Sequence, residues 1–287
     1  MIEGIKERAA LDFLSKVIRK SPYKGKVFLA GGAVRDELMG RNPKDIDLVV
    51  SLPDGGIKFS KWIAKKYNLG TVVVYPKFGT AKFNLKGVTH NGQDLSDLDI
   101  EAVMTRKEQY HDGDRKPDVS VGTLKQDVER RDFTVNSLLK DLTTGEIIDL
   151  TGQGASDIKK GVVRTPLDPD VIFAEDPLRM LRAIRFTVKY GWDLPMFMIK
   201  SIKRNARKIN NISNERIRDE VDKMIVTKRP KQAMRLLKIT GLLQYIMPEV
   251  QALVGVKQGK YHDKDVWNHS LDVLEKVPAT LTKRMGA

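Results

Sequence analysis

Two pairs of acidic residues in the first half of the chain are spaced so that they could bind metal ions. Asp45 and Asp47 alternate with apolar residues, a pattern that places both carboxylates on one face of a strand. Asp99 and Glu101 have the same spacing in a later apolar segment. Carboxylates held side by side repel each other unless a cation lies between them, and Mg²⁺ prefers such oxygen ligands. If two metal ions are to hold a triphosphate for in-line attack, a third carboxylate is expected, and either Asp99 or Glu101 could provide it.

A glycine pair lies upstream of the first acidic strand. Gly31 and Gly32 follow a short apolar segment and precede a predicted helix that ends near Gly40. Glycines let the backbone approach a ligand closely, and the free N–H groups at the start of a helix attract anions. A Gly-Gly turn alone is a weak signal. Here the glycine pair and its helix come just before the acidic strand, and this combination favours a turn that binds phosphate.

The periodicity of the sequence divides the chain into two parts that must position these residues. Residues 1–20 have helical spacing, and a third helix, after the one that ends near Gly40, is predicted over 57–68. Predicted strands lie at 26–30, 45–50, 71–75, 79–85 and 98–105. From about Asp170 the apolar residues recur at three- and four-residue steps. The predicted fold class is α+β, with a mixed-sheet head over 1–150 and an all-helical neck and body over 151–250.

The composition excludes several classes of protein. The 287 residues include no cysteine, which excludes disulfide scaffolds, Cys-ligated zinc and thiol nucleophiles. No apolar run approaches the ~20 residues that span a bilayer. The first residues lack the pattern of a signal peptide. We therefore expect a cytoplasmic protein.

The positive charge of the chain is concentrated in the helical part. The formal net charge is +14, and residues 178–240 contain 17 Lys and Arg against five Asp and Glu. A basic surface of this extent favours a nucleic-acid backbone as partner. The densest cluster, which we predict to bind this nucleic-acid backbone, consists of Lys203, Arg204, Arg207 and Lys208.

Four motifs occur in an order that resembles one known family. They are Gly31–Asp36 with Asp45–Asp47, Arg130–Asn136, Glu175–Phe186 and Asn214–Glu220. The set is similar to that of the polymerase β-like nucleotidyltransferases. More narrowly, it resembles the class II CCA-adding tRNA nucleotidyltransferases and bacterial poly(A) polymerases. The resemblance covers roughly residues 25–250 and implies a nucleotidyltransferase head followed by a helical neck and body.

The resemblance implies a role for each matching residue. Asp45, Asp47 and Glu101 would bind two Mg²⁺ ions. The family's Glu-Val-x-Thr-Phe-Arg strand corresponds here to Glu101–Arg106, and this chain departs from it at Met104 and Thr105. Asp99 therefore remains the alternative to Glu101. The triphosphate and the nucleotide would be held by Gly31, Gly32, Arg35, Arg131, Asp132 and Asn136.

The third motif supplies residues that would select the incoming base. Asp176 and Arg179 are three residues apart, a spacing that shares one helix face. A carboxylate accepts from the exocyclic amine of cytosine or adenine and a guanidinium donates to a ring nitrogen or carbonyl, whereas guanine and uracil present a carbonyl in place of the amine. Arg182 and Arg185 would either contact the nucleotide or clamp the head onto the body.

Two segments separate the activities within this family. Lys77–Phe83 contains Phe-Gly-Thr, closer to the CCA-adding members than to the basic Gly-Arg-Arg-Phe form of poly(A) polymerases, and Tyr110–Pro117 resembles a loop of the CCA-adding members. The favoured function is addition of CMP and AMP from CTP and ATP to the 3′ end of tRNA. The alternatives are a poly(A) polymerase, an enzyme that adds only CC or only A, and an inactive RNA-binding protein.

The last residues resemble the entry to another domain. Tyr261–Leu271 is similar to the start of the metal-dependent phosphohydrolase (HD) domain that follows the body in many family members, where the counterpart of His269 is a metal ligand. The His-Asp pair that completes such a site does not follow. Residues 251–287 are therefore expected to be the beginning of an incomplete HD-like domain, without phosphohydrolase activity.

Overall fold

A computed structural model describes residues 4–109, 118–257 and 265–285. The chain divides into two compact units, residues 1–159 and 160–287. The first is built around a mixed sheet and the second is helical, so the predicted α+β class is confirmed. Tyr110–Pro117 and residues 261–264 of the HD-like segment lie outside the described residues. No helix of the described residues is long and apolar enough to cross a membrane.

The first unit contains a seven-stranded sheet with the order β11-β10-β1-β2-β7-β4-β3. Its strands are β1 (Val27–Ala30), β2 (Ile46–Val50), β3 (Val73–Tyr75), β4 (Thr80–Asn84), β7 (Asp99–Met104), β10 (Leu139–Asp141) and β11 (Ile147–Ile148). Two small hairpins pair β5 (Thr89–His90) with β6 (Gln93–Asp94), and β8 (Arg106–Gln109) with β9 (Asp118–Val121). Neighbours in the sheet are antiparallel except β2 and β7, which run parallel. The five predicted strands all form, with ends that differ by a residue or two.

One face of this sheet carries the main hydrophobic core. The helices α1 (Ile5–Arg19) and α3 (Gly55–Tyr67) supply Leu14, Ile18, Phe59 and Ile63 to it, and all four are fully buried. Burial of a side chain of this size contributes about 2 kcal/mol. The strands contribute every second residue to this face, and Leu48 of β2 is one of them. The alternate residues, including Asp47, must therefore lie on the opposite face.

The opposite face is covered over only part of its area. A smaller cluster of Phe28, Val49 and Leu139 packs there against Val128 of α4 (Leu124–Glu129). The helix α2 (Gly32–Leu38) follows β1, a 3₁₀ helix (Thr134–Asn136) precedes β10, and α5 (Gly154–Lys160) follows β11. The polar residues predicted for the head part of the site lie on this second face and in the turns that border it.

The second unit is a set of packed helices. They are α6 (Pro169–Glu175), α7 (Leu178–Tyr190), α8 (Met196–Asn205), a 3₁₀ helix (Ala206–Asn211), α9 (Asn214–Ile225), α10 (Pro230–Ile239), α11 (Leu243–Ile246), α12 (Pro248–Gln251), α13 (Val266–Lys276) and α14 (Leu281–Met285). The central helix, α7, buries Leu181, Ile184 and Val188 and packs against α9 and α10. Gly191 ends α7 with φ +72°, a conformation that favours glycine. The helical spacing seen in the sequence from Asp170 onward thus corresponds to real helices.

Candidate active site

The acidic residues meet in the middle of the sheet because β2 and β7 are neighbours. The parallel register places Asp47 directly beside Glu101, and residues paired in this way lie about 5 Å apart. Asp45 immediately precedes β2, and the buried Ile46 and Leu48 flank Asp47. The sequence predicted each acidic pair, but only the strand order brings the two pairs together.

The electrostatics of Asp47 reflect this crowding. Its side chain reaches solvent, yet the surrounding protein partly desolvates it, and this desolvation raises the pKa of Asp47 above its ordinary value. The charges of Glu101 and Asp45 raise the pKa further, while those of Arg131 and Lys82 oppose the change. A divalent cation would relieve this repulsion. The donor set, hard carboxylate oxygens on adjacent strands, fits Mg²⁺.

Glu101, one of the two candidates for a third carboxylate, is paired with a lysine. Glu101 forms an ion pair with Lys82 of β4, with 3.0 Å between Nζ of Lys82 and Oε2 of Glu101. Among the described residues no three acidic or histidine side chains converge closely enough to bind a metal ion as they stand. Mg²⁺ commonly uses one or two carboxylates and takes its other ligands from water and substrate phosphates, so Asp45 and Asp47 suffice for its first contacts. Asp99 is the first residue of β7 and pairs with Asn84 of β4. It lies two residues before Glu101 on the same face of the sheet, so Glu101 is the closer neighbour of Asp47.

The glycine turn lies at the same end of the sheet as Asp45 and Asp47. Leu29 pairs with Leu48 in the antiparallel register of β1 and β2, so the chain leaves β1 beside Asp47. Gly31 has φ +67°, a conformation that side chains rarely adopt. A Cβ at Gly31 would lie 3.3 Å from Nη1 of Arg131. The turn is therefore bare backbone with an arginine at its edge, which suits an anionic ligand.

Arg35 is buried in a polar network rather than extended toward solvent. Its Nη1 donates to Oδ1 of Asn136 at 2.5 Å, and its Nε donates to Asp36 at 2.9 Å. Asn136 in turn donates from Nδ2 to Asp132 at 2.9 Å. The structure thus brings Arg35, Asn136 and Asp132 together behind the glycine turn.

A buried aspartate that the sequence analysis did not single out anchors the second motif. Asp127 is fully buried and accepts from Nη2 of Arg130 at 2.7 Å and from Nη2 of Arg131 at 3.0 Å. Burial raises the pKa of the Asp127 carboxyl, but the charges of Arg131 and Arg130 outweigh it, so the pKa lies below its ordinary value. The sequence signal was the spacing of three and four residues on a helix turn. Asp127 holds Arg131 against the glycine turn.

In the second unit, Asp176 lies outside the helix in which its spacing suggested it would be. It has φ −138° and ψ 97° and occupies the break between α6 and α7, because a following proline disfavours helical backbone. Its Oδ1 accepts from the backbone N–H of Leu178 at 3.1 Å. Its Oδ2 accepts from Nη2 of Arg216 at 3.2 Å. The expectation that Asp176 and Arg179 share a helix face was wrong, because Asp176 lies just before α7 and Arg179 is in its first turn.

Arg179 is nearly buried and bonds to the preceding helix. Nη1 donates to Glu175 at 2.9 Å and to the carbonyl of Ile172 at 3.3 Å. The carboxylate of Asp176 pairs with Arg216 of the fourth motif, and Arg179 pairs with Glu175. The sequence contained this partner in Asn214–Glu220 without showing that it faces the third motif.

Arg182 and Arg185 both face Glu220 of α9. Arg185 donates from Nε to Oε2 of Glu220 at 2.6 Å, and Nη1 of Arg182 lies 3.8 Å from Oε1. Both guanidinium groups also lie near the ring of Phe186. These pairs join α7 to α9 within the second unit. Nucleotide contact and a clamp of the head onto the body both stay predictions.

The basic cluster and the C-terminal histidine are on the surface. Lys203, Arg204, Arg207 and Lys208 are all exposed at the end of α8 and in the following 3₁₀ helix. Arg204 pairs with Asp170 at 2.6 Å. His269 is exposed on α13, whereas Trp267 beside it is buried.

Comparisons with known proteins agree with this geometry. The family model described as "Poly A polymerase head domain" matches residues 27–164, and the one described as "Probable RNA and SrmB- binding site of polymerase A" matches residues 198–253. A tRNA nucleotidyltransferase of Schizosaccharomyces pombe is 34% identical over 236 residues, which are 79% of this chain and 49% of that protein. The chain spans about half the length of the curated relatives it matches.

Two solved structures show the same fold. The CCA-adding enzyme of Thermotoga maritima, complexed with tRNA, is 27% identical with a TM-score of 0.69, and the match covers 85% of this chain and 53% of that one. The CCA-adding enzyme of Bacillus stearothermophilus, in complex with CTP, is 26% identical with a TM-score of 0.69, over 96% and 58% of the two chains. The chain belongs to the family of CCA-adding tRNA nucleotidyltransferases and poly(A) polymerases.

Proposed function

We propose that this chain adds CMP and AMP from CTP and ATP to the 3′ end of tRNA. The observation that carries the proposal is the pairing of Asp47 with Glu101 in the β2–β7 register, with Asp45 and the bare Gly31 turn at the same end of the sheet. RNA binding alone requires no such cluster of acids. The relatives named above are tRNA nucleotidyltransferases and CCA-adding enzymes.

In this proposal the head residues hold the reacting groups. Asp45, Asp47 and Glu101 would bind two Mg²⁺ ions, which would lower the pKa of the attacking 3′-hydroxyl and neutralise the pyrophosphate leaving group. The backbone of Gly31 and Gly32 leaves room for the triphosphate, beside the guanidinium of Arg131. Lys82 contacts Oε2 of Glu101, so Oε1 could bind a metal ion while the ammonium group of Lys82 also pairs with a phosphate.

The nucleotide-selecting role is proposed for Asp176 and Arg179. Asp176 is fixed by a backbone N–H and by Arg216, and Arg179 is fixed by Glu175. Two such preoriented groups can accept from the amine and donate to the ring of cytosine or adenine. The ion pairs of Arg182 and Arg185 with Glu220 support this helix from behind.

The RNA-binding role is proposed for the exposed basic cluster. Lys203, Arg207 and Lys208 have no acidic partner within ion-pair distance among the described residues, so their charges are available to phosphates. Each phosphate neutralised makes affinity fall more steeply with salt. The cytoplasmic location expected from the sequence stays a prediction.

The test is incorporation of labelled CTP or ATP into three RNAs by the 287-residue chain. The RNAs are a tRNA that lacks its CCA end, a tRNA ending in CC, and an unstructured RNA. We expect addition of two C and one A to the first, one A to the second, and little to the third. Long A tails on the unstructured RNA would indicate a poly(A) polymerase instead. Binding of tRNA without incorporation of either nucleotide would favour an inactive RNA-binding protein.

A further inference from the structure

The free edge of the sheet presents residues in line with the acidic site. The registers of β3 with β4, β4 with β7 and β7 with β2 place Val73, Lys82, Glu101 and Asp47 in one row across four strands. Residues directly opposite in neighbouring strands point to the same face. Tyr75, two residues after Val73, lies on this face as well.

The residues at the edge of this row are apolar, aromatic and basic, and they are open to solvent. Val73 is 49% exposed and Tyr75 is 44% exposed, although the strands behind them bury most of their residues. Lys82 is half-exposed and lies between these two residues and Glu101, to which it is bonded. β3 is the last strand of the sheet, so no further strand of the described residues covers this side.

The distance from this edge to the acidic site suits a short stretch of nucleic acid. Three strand spacings separate β3 from β2, which is about 14 Å. Stacked nucleotides rise by about 3.4 Å along a strand, so roughly four of them cover the row. A nucleotide chain whose 3′ end lies at Asp47 would therefore extend over Lys82 and reach Tyr75.

We propose that Val73, Tyr75 and Lys82 form a docking surface for the unpaired 3′-terminal nucleotides of the RNA primer. Tyr75 and Val73 provide an aromatic and an apolar face for the bases, and the ammonium group of Lys82 pairs with a phosphate. Single-stranded RNA is recognised by this combination of stacking and positive charge. Tyr75 is a positioning residue here, because it contacts the primer away from the reacting hydroxyl. The inference rests on the proposed function, since it takes the acidic row as the place where the 3′ end reacts.

The partner is identified by charge and by continuity with the site. The row contains two carboxylates at one end and a lysine toward the other, so a negatively charged chain is attracted to the edge and is held at the acids only by cations. An apolar peptide offers no negative charge to Lys82. A primer strand uses all three residues.

The experiment measures RNA binding at equilibrium, without nucleoside triphosphates, so that it does not depend on turnover. Two RNA hairpins with the same stem are compared, one with a four-nucleotide 3′ overhang and one with a blunt end. The variants are Tyr75→Ala, Tyr75→Phe and, as control, Tyr67→Ala. Tyr67 is 36% exposed in α3, which packs on the opposite face of the sheet.

Tyr75→Ala is expected to weaken binding of the overhang hairpin about tenfold, since the stacking of one base is lost. Binding of the blunt hairpin is expected to stay within twofold, because its bases are already stacked in pairs. Tyr75→Phe should restore binding of the overhang, and Tyr67→Ala should leave both hairpins unchanged. In turnover assays Tyr75→Ala should raise the KM for the primer without changing the KM for CTP.

The proposal is overturned if Tyr75→Ala weakens both hairpins equally or neither of them. It is also overturned if the wild-type chain sediments as a dimer that Tyr75→Ala dissociates, because the face is then an interface between two copies. A chain that incorporates neither C nor A but loses overhang binding in Tyr75→Ala would refute the proposed function alone. A chain that adds CCA with unchanged primer KM in Tyr75→Ala would refute the docking surface alone.

Discussion

The acidic face of the head and the α7–α9 contact of the body differ in how their carboxylates are paired with positive charge. In the head, Asp45, Asp47 and Glu101 lie close together, and the only cation bonded to them in the described residues is Lys82, on Glu101. In the body, the buried Glu220 receives both Arg182 and Arg185. Repulsion that is left in place costs stability, whereas a matched pair fixes geometry. The difference indicates that the head keeps its charges for a ligand and the body uses its charges to hold its shape.

The largest expected effect comes from Asp47→Asn. Loss of this carboxylate should lower nucleotide incorporation by about a thousandfold or more, since several kcal/mol of transition-state stabilisation depend on the metal site. The same variant should unfold at an equal or higher temperature than wild type at pH 7 without Mg²⁺. The pKa of Asp47 is raised in the folded chain, so its ionised form opposes folding above the unfolded pKa of about 3.9. Thermal melts at pH 7 and pH 3.5 test this, because the gain should vanish at the lower pH.

Glu220→Gln should lower the stability of the chain, whereas Asp47→Asn should leave it unchanged or raise it. Arg185 would keep its charge in a nearly buried position without an ionised partner, so the free energy of unfolding should fall by about 3 kcal/mol. Urea unfolding followed by circular dichroism measures the loss. The matched control is Asp219→Asn, whose exposed pair with Lys223 on the same helix should contribute less than ~1 kcal/mol. Equal losses in the two variants would contradict the role given to Glu220.

Asp127→Asn tests the paired type of carboxylate inside the head. The pKa of Asp127 is lowered in the folded chain, so its stabilisation is present above the unfolded pKa of about 3.9 and is lost as the pH falls through the folded value. The variant should be about 2 kcal/mol less stable than wild type between pH 5 and pH 7. The difference should begin to shrink near pH 4 and should disappear only as the pH falls through the folded pKa, which is lower still. A difference that stays constant down to pH 3 would show that the charge of Asp127 is not what matters.

The smallest effect is expected for Arg216→Ala. Asp176 would keep its backbone hydrogen bond but lose its cation, and an exposed pair of this kind contributes less than ~1 kcal/mol. The KM for CTP and for ATP should therefore rise by at most about fivefold, with the KM for tRNA unchanged. Arg218→Ala on the same helix, which pairs with Asp222, should change neither. A large loss in tRNA affinity for Arg216→Ala alone would place Arg216 in the RNA contact instead.

Much of the site could be predicted from the sequence because its signals are local. The Gly31 turn, the alternation around Asp47 and the helical body each depend on spacings of a few residues. The place of Glu101 beside Asp47 was not local, since it requires β2 and β7 to be neighbours although more than fifty residues separate them. Spacing therefore left Asp99 and Glu101 equivalent.

Where the sequence misled, a competing local rule or a distant partner was responsible. Three-residue spacing placed Asp176 on the helix of Arg179, but Pro177 forces an extended residue before it. The sequence also did not show that Arg35 bonds to Asn136 and Arg185 to Glu220, and the ligand roles predicted for the two arginines stay predictions. Such partners lie far away in sequence, and no periodicity indicates them.

The central claim is that the acidic face of the head is a divalent-cation site. Electron paramagnetic resonance measures free Mn²⁺ directly in the presence of the full chain and CTP. Compared with CTP alone, the wild-type chain should reduce the free Mn²⁺ signal, and Asp47→Asn should reduce it far less. Equal reduction by the two proteins, or no reduction by the wild type, would contradict the account.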